Sequence, residues 1–507
     1  MARLTLSMIV KNEEKHLAGC LSSVKDVVDE IVIVDTGSMD KTIEIAKEYG
    51  ARIFHFDWIN NFSAARNFAL SKSTGDWILY LDADERLSNS SIEELRKIVS
   101  VVEKSGYYCT VKSYDSEYGR DNQMSYVRLF SNSSDISFQG KVHEQILPSL
   151  IENNYKISSS NIVIEHIGYN IDNDQKKEKA KRNLELLLNE YNVSKNPYND
   201  FQLALTYQVL ENYSEARKFF LLAAENKSFD NIYRAHSYTS LALIYSKEHK
   251  IKEAEKFLTK SLSLRNNDPF THLLASKIFL RKNDLKKAID HCNKADRFNN
   301  DLQNGKCKNE YSVFLSNEEI ILTGLTIAKQ LKDDVLLNNY YRKYIDYVYR
   351  SMSLNQEQII IALEKLVQGN LLNEKEISCI CNYASRQNLK LLIFLIKEYS
   401  ETTLKGILLK ELQKLFPENI ELTKSLAEYY VSINDQKRAA EIYQELADKK
   451  DDDPAVYFYL LSFYLGDGNY QAILSTINKI ETEFNHIPEV IARINLIKQK
   501  LSGILVA

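Results

Sequence analysis

The chain has no apolar run long enough to span a bilayer, and no leader-like N-terminus: Met1-Ala2-Arg3-Leu4 leads straight into a strand-like segment. Basic residues are not in excess. Lys and Arg number 65 against 69 Asp and Glu, a net charge of −4. With no polybasic stretch, neither nucleic acid nor a membrane surface is an expected partner. Cysteine is sparse: Cys20, Cys109, Cys292, Cys307, Cys379 and Cys381 form no zinc-ligand spacing and no disulfide framework. A reduced, cytoplasmic setting is the expectation. Breakers are few and unevenly placed. Eight of the 15 glycines and both tryptophans precede residue 171, which predicts a front part of strands and turns followed by a longer helical part. At 507 residues, two or three domains are expected.

What is present begins with four strand-like runs separated by helical spacing. Leu4–Val10 and Glu30–Val34 are apolar and partly β-branched, Ala51–Phe54 is short, and Trp77–Leu81 is apolar and aromatic. Between them, Leu17, Cys20, Leu21 and Val24, then Ile45, Ala46 and Tyr49, then Asn61–Leu70 keep helical spacing. Strands alternating with helices predict a parallel α/β sheet, whose ligands sit beyond the carboxyl ends of its strands. Three polar clusters fall at such ends: Val10-Lys11-Asn12-Glu13, Asp35-Thr36-Gly37-Ser38 and Asp82-Ala83-Asp84. Asp82 and Asp84 are two apart, so in extended backbone both point the same way. A hard divalent cation such as Mg²⁺ or Mn²⁺, bridging to a diphosphate, would relieve their repulsion. Residues 106–170 read as a mixed β region.

The remainder carries a repeat. Ala204-Leu205-Thr206-Tyr207 with Ala216 is echoed by Ala242-Leu243-Ile244-Tyr245 with Ala254, and Ala254 to Ala288 is a step of 34 residues, the tetratricopeptide period. The scheme returns at Leu426–Tyr430, Ala440–Tyr443 and Tyr470–Ile473. The expected division is 1–170 an α/β domain, 171–195 a linker helix, 196–300 TPR-like repeats, 301–415 an irregular helical region, and 416–507 further TPR-like repeats. Stacked helix pairs make a solenoid, whose concave face suits an extended peptide.

Ser7–Glu14, Glu30–Thr42, Ala65-Arg66-Asn67 and Leu81–Glu85, in this order and spacing, resemble family 2 glycosyltransferases of the GT-A fold, over residues 4 to 170. Gly140–Glu144, His166–Asn170 and Lys181–Leu184, followed by helical repeats, are similar to the sublancin-type (SunS-like) peptide S-glycosyltransferases. The resemblance implies an inverting, metal-dependent transfer of a hexose from UDP-glucose or UDP-GlcNAc. The implied acceptor is a Cys, Ser or Thr side chain of a peptide or protein, such as a bacteriocin or a flagellin-like surface protein. Val10, Asn12, Glu13, Asp35, Gly37, Ser38, Arg66, Asp82, Ala83 and Asp84 are implied to bind the nucleotide sugar. Asp35 would accept from the base, Arg66 would lie near the diphosphate, and Asp82 would touch the ribose or the ion. Asp84 would ligate Mg²⁺ or Mn²⁺ directly, with His166 or His143 added. Glu144 is the implied base, positioned by His143, with Asp115, Glu117 and Asp121 as alternative carboxylates. The helical half is expected either to bind the acceptor or to form a homodimer. Competing expectations are transfer to a lipid-linked or lipopolysaccharide-core glycan, and a non-catalytic TPR scaffold.

Overall fold

The computed structural model describes residues 2–115, 120–167, 173–303, 311–351, 357–449, 451–485 and 487–505. The chain folds as two compact units, Met1–Asp334 and Val335–Ala507.

The first unit opens with β1 (Leu4–Val10), α1 (Leu17–Val24), β2 (Glu30–Asp35), α2 (Thr42–Glu48), β3 (Arg52–His55), α3 (Phe62–Lys72) and β4 (Trp77–Tyr80). Every residue of β2 and β4 is buried. That is why these runs lack the polar alternation of a one-sided strand. β1 lies parallel to β2 and β4, and β2 parallel to β3. Glu30 ties them together. It accepts from Thr5 Oγ1 at 2.6 Å, Thr74 N at 2.7 Å and Thr74 Oγ1 at 2.9 Å, and pairs with Arg52. Desolvation opposes its charge, but these donors prevail and hold the carboxyl down at about 2. Asn61 caps α3 by accepting from Ala64 N at 3.0 Å.

Gly75, just before β4, lies close against β1. A Cβ there would stand 2.8 Å from Arg3 O and 2.9 Å from Thr5 N, both backbone atoms. Gly75→Ala is therefore expected to destabilise the first unit by about 1–3 kcal/mol, as overpacked sites do. The check is a lower urea midpoint with an unchanged slope.

The chain continues through β5 (Glu85–Leu87), α4 (Ile92–Val99), β6 (Ser105–Asp115), β7 (Arg120–Ser131), α5 (Leu147–Glu152) and β8 (Lys156–His166). The strand order is β3-β2-β1-β4-β7-β6-β8-β5. β4 and β5 are joined by one short turn, yet they stand at opposite ends of the path β4-β7-β6-β8-β5. The sheet therefore curls round, and the turn 81–84 is met by side chains from β7 and β8.

Helices follow: α6 (Asn173–Val193), α7 (Pro197–Val209), α8 (Tyr213–Glu225), α9 (Asn231–Lys247), α10 (Ile251–Leu264), α11 (Pro269–Arg281) and α12 (Leu285–Gln303). The alanines of the predicted repeat, Ala204, Ala216, Ala242, Ala254 and Ala288, are all fully buried. Tyr207 stacks on Phe219 and Tyr245 on Phe257 with ring centres 5.7 and 5.4 Å apart. After α12 comes a strand that the sequence does not suggest, β9 (Tyr311–Val313), antiparallel to the Asn122–Met124 end of β7. Helix α13 (Asn317–Leu331) follows it. In the second unit, described helices run from Asp334–Ser351, which starts at the boundary, to Pro488–Leu505. Its core gathers Tyr443, Leu446, Tyr457, Leu460, Ile473, Ile477 and Ile480. Among the described residues, no helix is long and apolar enough to cross a membrane.

Candidate active site

The loops after β1 and β2 are zipped together. Asn12 N donates to Ser38 Oγ at 2.9 Å, Met39 N to Asn12 Oδ1 at 2.8 Å, and Glu13 N to Thr42 Oγ1 at 2.7 Å. Asp35 accepts from Gly37 N at 3.1 Å and Ser38 N at 3.0 Å, shaping its own turn. Gly37 has φ of +104°, a conformation that favours glycine. Val10, Asn12, Glu13 and Thr36 line the cleft; Asp35, Gly37 and Ser38, expected at the nucleotide, are not among its lining residues.

Beyond β4 the charges alternate. Arg66, on α3, donates through Nη2 to Asp82 Oδ1 at 2.7 Å and through Nε to Glu144 Oε1 at 2.5 Å. Arg128, on β7, donates through Nη2 to Glu85 Oε1 at 2.7 Å and lies 3.6 Å from Asp82 Oδ2. Both guanidiniums stack on the Tyr80 ring, at 5.0 and 4.4 Å. The resulting chain is Glu144–Arg66–Asp82–Arg128–Glu85. Burial works against the charge on Asp82, but the two arginines hold its carboxyl far below the usual range. Glu85 moves the other way. Burial pushes it up to about 7, and Asp82 adds to the rise against the pull of Arg128.

Glu144 reaches Arg66 because its loop is pinned to the start of α3. Phe62 N donates to Lys141 O at 3.0 Å, Ser63 Oγ donates to Gly140 O, and Gln139 and Gln145 exchange backbone bonds of 2.9 Å. His143 sits in this loop with φ of 56° and lines the cleft beside Glu144.

At the other end of the 81–84 turn, His166 Nε2 stands 3.1 Å from Asp84 Oδ2. Desolvation lowers the imidazole's proton affinity, but the Asp84 bond and charge outweigh it and raise its pKa; His166 in turn lowers Asp84. Glu13 is pushed up to about 7, first by burial and then by Asp84, with Lys179 opposing. One carboxylate oxygen and one imidazole nitrogen suit Mg²⁺ or Mn²⁺, and five carboxyls share this corner with two guanidiniums. Among the described residues no third His, Cys, Asp or Glu joins a metal-holding group. The fit is to an ion that takes two protein ligands and fills its other positions with phosphate oxygens and water.

Most of the expected residues come together in one cleft. Asp82 is turned to the arginines rather than to the Asp84–His166 pair. Of the alternative carboxylates, Glu117 lies outside the described residues, as do Gly168, Tyr169 and Asn170. The sequence reading missed Arg128 and Glu85. The signal was there: Arg128 interrupts the buried run Val127, Leu129, Phe130, and a charge in such a strand needs a partner. Arg128 is 7% exposed, and its Nε and Nη1 have no hydrogen-bond partner among the described residues. An unmade bond of this kind costs roughly 1–3 kcal/mol.

The cleft has a volume of about 1530 Å³. Its far wall is helical, with Tyr198, Phe201, Gln202, Leu205, Val209, Tyr213 and Tyr233 from α7 to α9.

A curled α/β sheet with its acidic turn at the tip of β4, backed by stacked helix pairs, has the layout of a GT-A-like domain joined to a helical repeat region. Residues 5–163 match the glycosyl transferase family 2 profile and residues 235–268, spanning α9 and α10, the tetratricopeptide repeat profile. The chain thus carries a family 2 glycosyltransferase domain followed by TPR structure. It is 43% identical over 188 residues to a TPR repeat-containing protein of Synechococcus elongatus, covering 36% of this chain and 46% of that one. It is 34% identical over 190 residues to the SPbeta prophage-derived glycosyltransferase SunS of Bacillus subtilis, covering 36% and 44%. The chain spans less than half the length of either relative. A solved structure of S. aureus TarS 1–349 in complex with UDP-GlcNAc aligns with a TM-score of 0.30 at 14% identity, over 60% of this chain and 92% of that one.

Proposed function

We propose that this chain transfers a hexose from a UDP-sugar, UDP-glucose or UDP-GlcNAc, to a Cys, Ser or Thr side chain of a peptide or protein. The observation that carries this reading is the single cleft. It joins the Asp84–His166 pair and the Glu144–Arg66–Asp82 triad to a wall of helical-repeat side chains. A small-molecule site occupies roughly 300–1,000 Å³. This cleft is larger, which favours a second, extended substrate beside the donor. The resemblance to sublancin-type transferases supports a polypeptide in that role.

Asp84 and His166 would hold Mg²⁺ or Mn²⁺, which when bound neutralises charge on the departing diphosphate. Asn12 and Glu13, which line the cleft, would face the uridine, and Asp35 shapes the neighbouring turn. Glu144 takes the acceptor's proton as that atom attacks the anomeric carbon on the face opposite the diphosphate. Arg66 fixes the Glu144 carboxylate in place and keeps Asp82 ionised.

The test is calorimetric titration with UDP, with and without Mn²⁺, followed by mass spectrometry of a cysteine- or serine-containing peptide incubated with UDP-glucose. Mn²⁺-dependent UDP binding and addition of one hexose are expected. No UDP binding under either condition overturns the reading.

A further inference from the structure

We propose that Arg128 reads the transferred hexose, donating from Nε and Nη1 to two different hydroxyl oxygens of the sugar. This rests on the donor reading above and adds a residue that none of the matched motifs contains. The side chain is nine-tenths buried, lines the cleft, and leaves those two nitrogens without partners among the described residues. Its third nitrogen is committed to Glu85, and its face to Tyr80. Glu85 and the Tyr80 ring anchor one nitrogen and one face, so the guanidinium can turn its other donors only about that anchor.

The ligand follows from charge and shape. Glu85 and Asp82 already offset the positive charge of Arg128. What it offers is hydrogen-bond donors rather than net charge, which suits neutral hydroxyls better than phosphate. The diphosphate belongs with the cation at Asp84 and His166, across the turn. A lone acceptor sulfur or oxygen cannot serve both nitrogens, because they lie on different edges of the guanidinium. A pyranose carries several hydroxyls and can. Both nitrogens are sealed from solvent, so engagement takes a small rotation of the guanidinium about its Glu85 bond.

The experiment compares wild type, Arg128→Lys and Arg128→Gln by calorimetry with Mn²⁺, using UDP and UDP-glucose. In Arg128→Lys the charge facing Glu85 is kept and the second and third donor directions are lost. UDP-glucose affinity is expected to fall about tenfold more than UDP affinity, as loss of charge-assisted hydrogen bonds to the sugar predicts. Arg128→Gln should show the same split. If its UDP binding is also lost through misfolding, Arg128→Lys decides. Equal losses for UDP and UDP-glucose, or none, in Arg128→Lys overturn the proposal. Failure of wild type to bind UDP would instead remove the donor reading itself.

Discussion

Asp84→Ala is expected to lower hexose transfer by at least about a hundredfold and to abolish the effect of Mn²⁺ on UDP affinity. The size follows from the charge that a leaving diphosphate develops, where losing one stabilising group costs about 10²–10³. No neighbour can substitute. Asp82 is bound by Arg66 at 2.7 Å and flanked by Arg128 at 3.6 Å. Moving it would leave two guanidiniums short of a partner. His166 alone offers one neutral nitrogen, a poor site for a hard cation. Asp84 keeps a side-chain exposure of 19% at the cleft and loses one bond, to His166, so its removal should lower the unfolding free energy from urea titration by only about 1 kcal/mol. Retention of Mn²⁺-enhanced UDP binding in Asp84→Ala would falsify the assignment of the metal corner.

Glu144→Gln is expected to divide the acceptors. With a serine or threonine acceptor the proton must go to a positioned base, and the rate should fall by about 10²–10⁴. A cysteine thiol, of pKa about 8.5, supplies its own thiolate as pH rises. With that acceptor the loss should be about tenfold or less at pH 8 and should shrink further above it. The substitution keeps a hydrogen-bond acceptor for Arg66 Nε, so the loop holding Glu144 stays attached to α3. The measurement is single-turnover transfer to matched Cys and Ser peptides across pH 6.5–9. Equal losses for both peptides at every pH would remove Glu144 as the base.

Much of this arrangement was legible from residue order. Glu30–Val34 reads as a doubly covered parallel strand because no polar residue interrupts it, and β2 is buried throughout. Asn61 announces α3, and the alanine spacing announces the helix pairs. Asp84 and His166 are named by motif and meet in space. What could not be read is the pairing of distant strands. β7 inserts beside β4, and only that neighbour relation puts Arg128 against Asp82 and Glu85. Likewise, Asp82 looks like a ligand beside Asp84 until two arginines from different elements claim it. β9 has only three residues, too short for any periodicity to register. The turns ending α7, α9 and α11 use Glu211, His249 and Asn283 in left-handed conformations, so the usual glycine signal for those breaks is missing.

The pairing of β9 with β7 also bears on how the polypeptide is born. Met124 aligns with Tyr311, and at a translation rate of about 5–20 residues per second the later strand leaves the ribosome roughly ten to forty seconds after the earlier one. During that interval the Asn122–Met124 stretch of β7 has no β9 to pair with, and the helices from α6 to α12 are synthesised before β9 is. Nascent chains halted before residue 311 should therefore recruit chaperones that chains released after residue 334 do not.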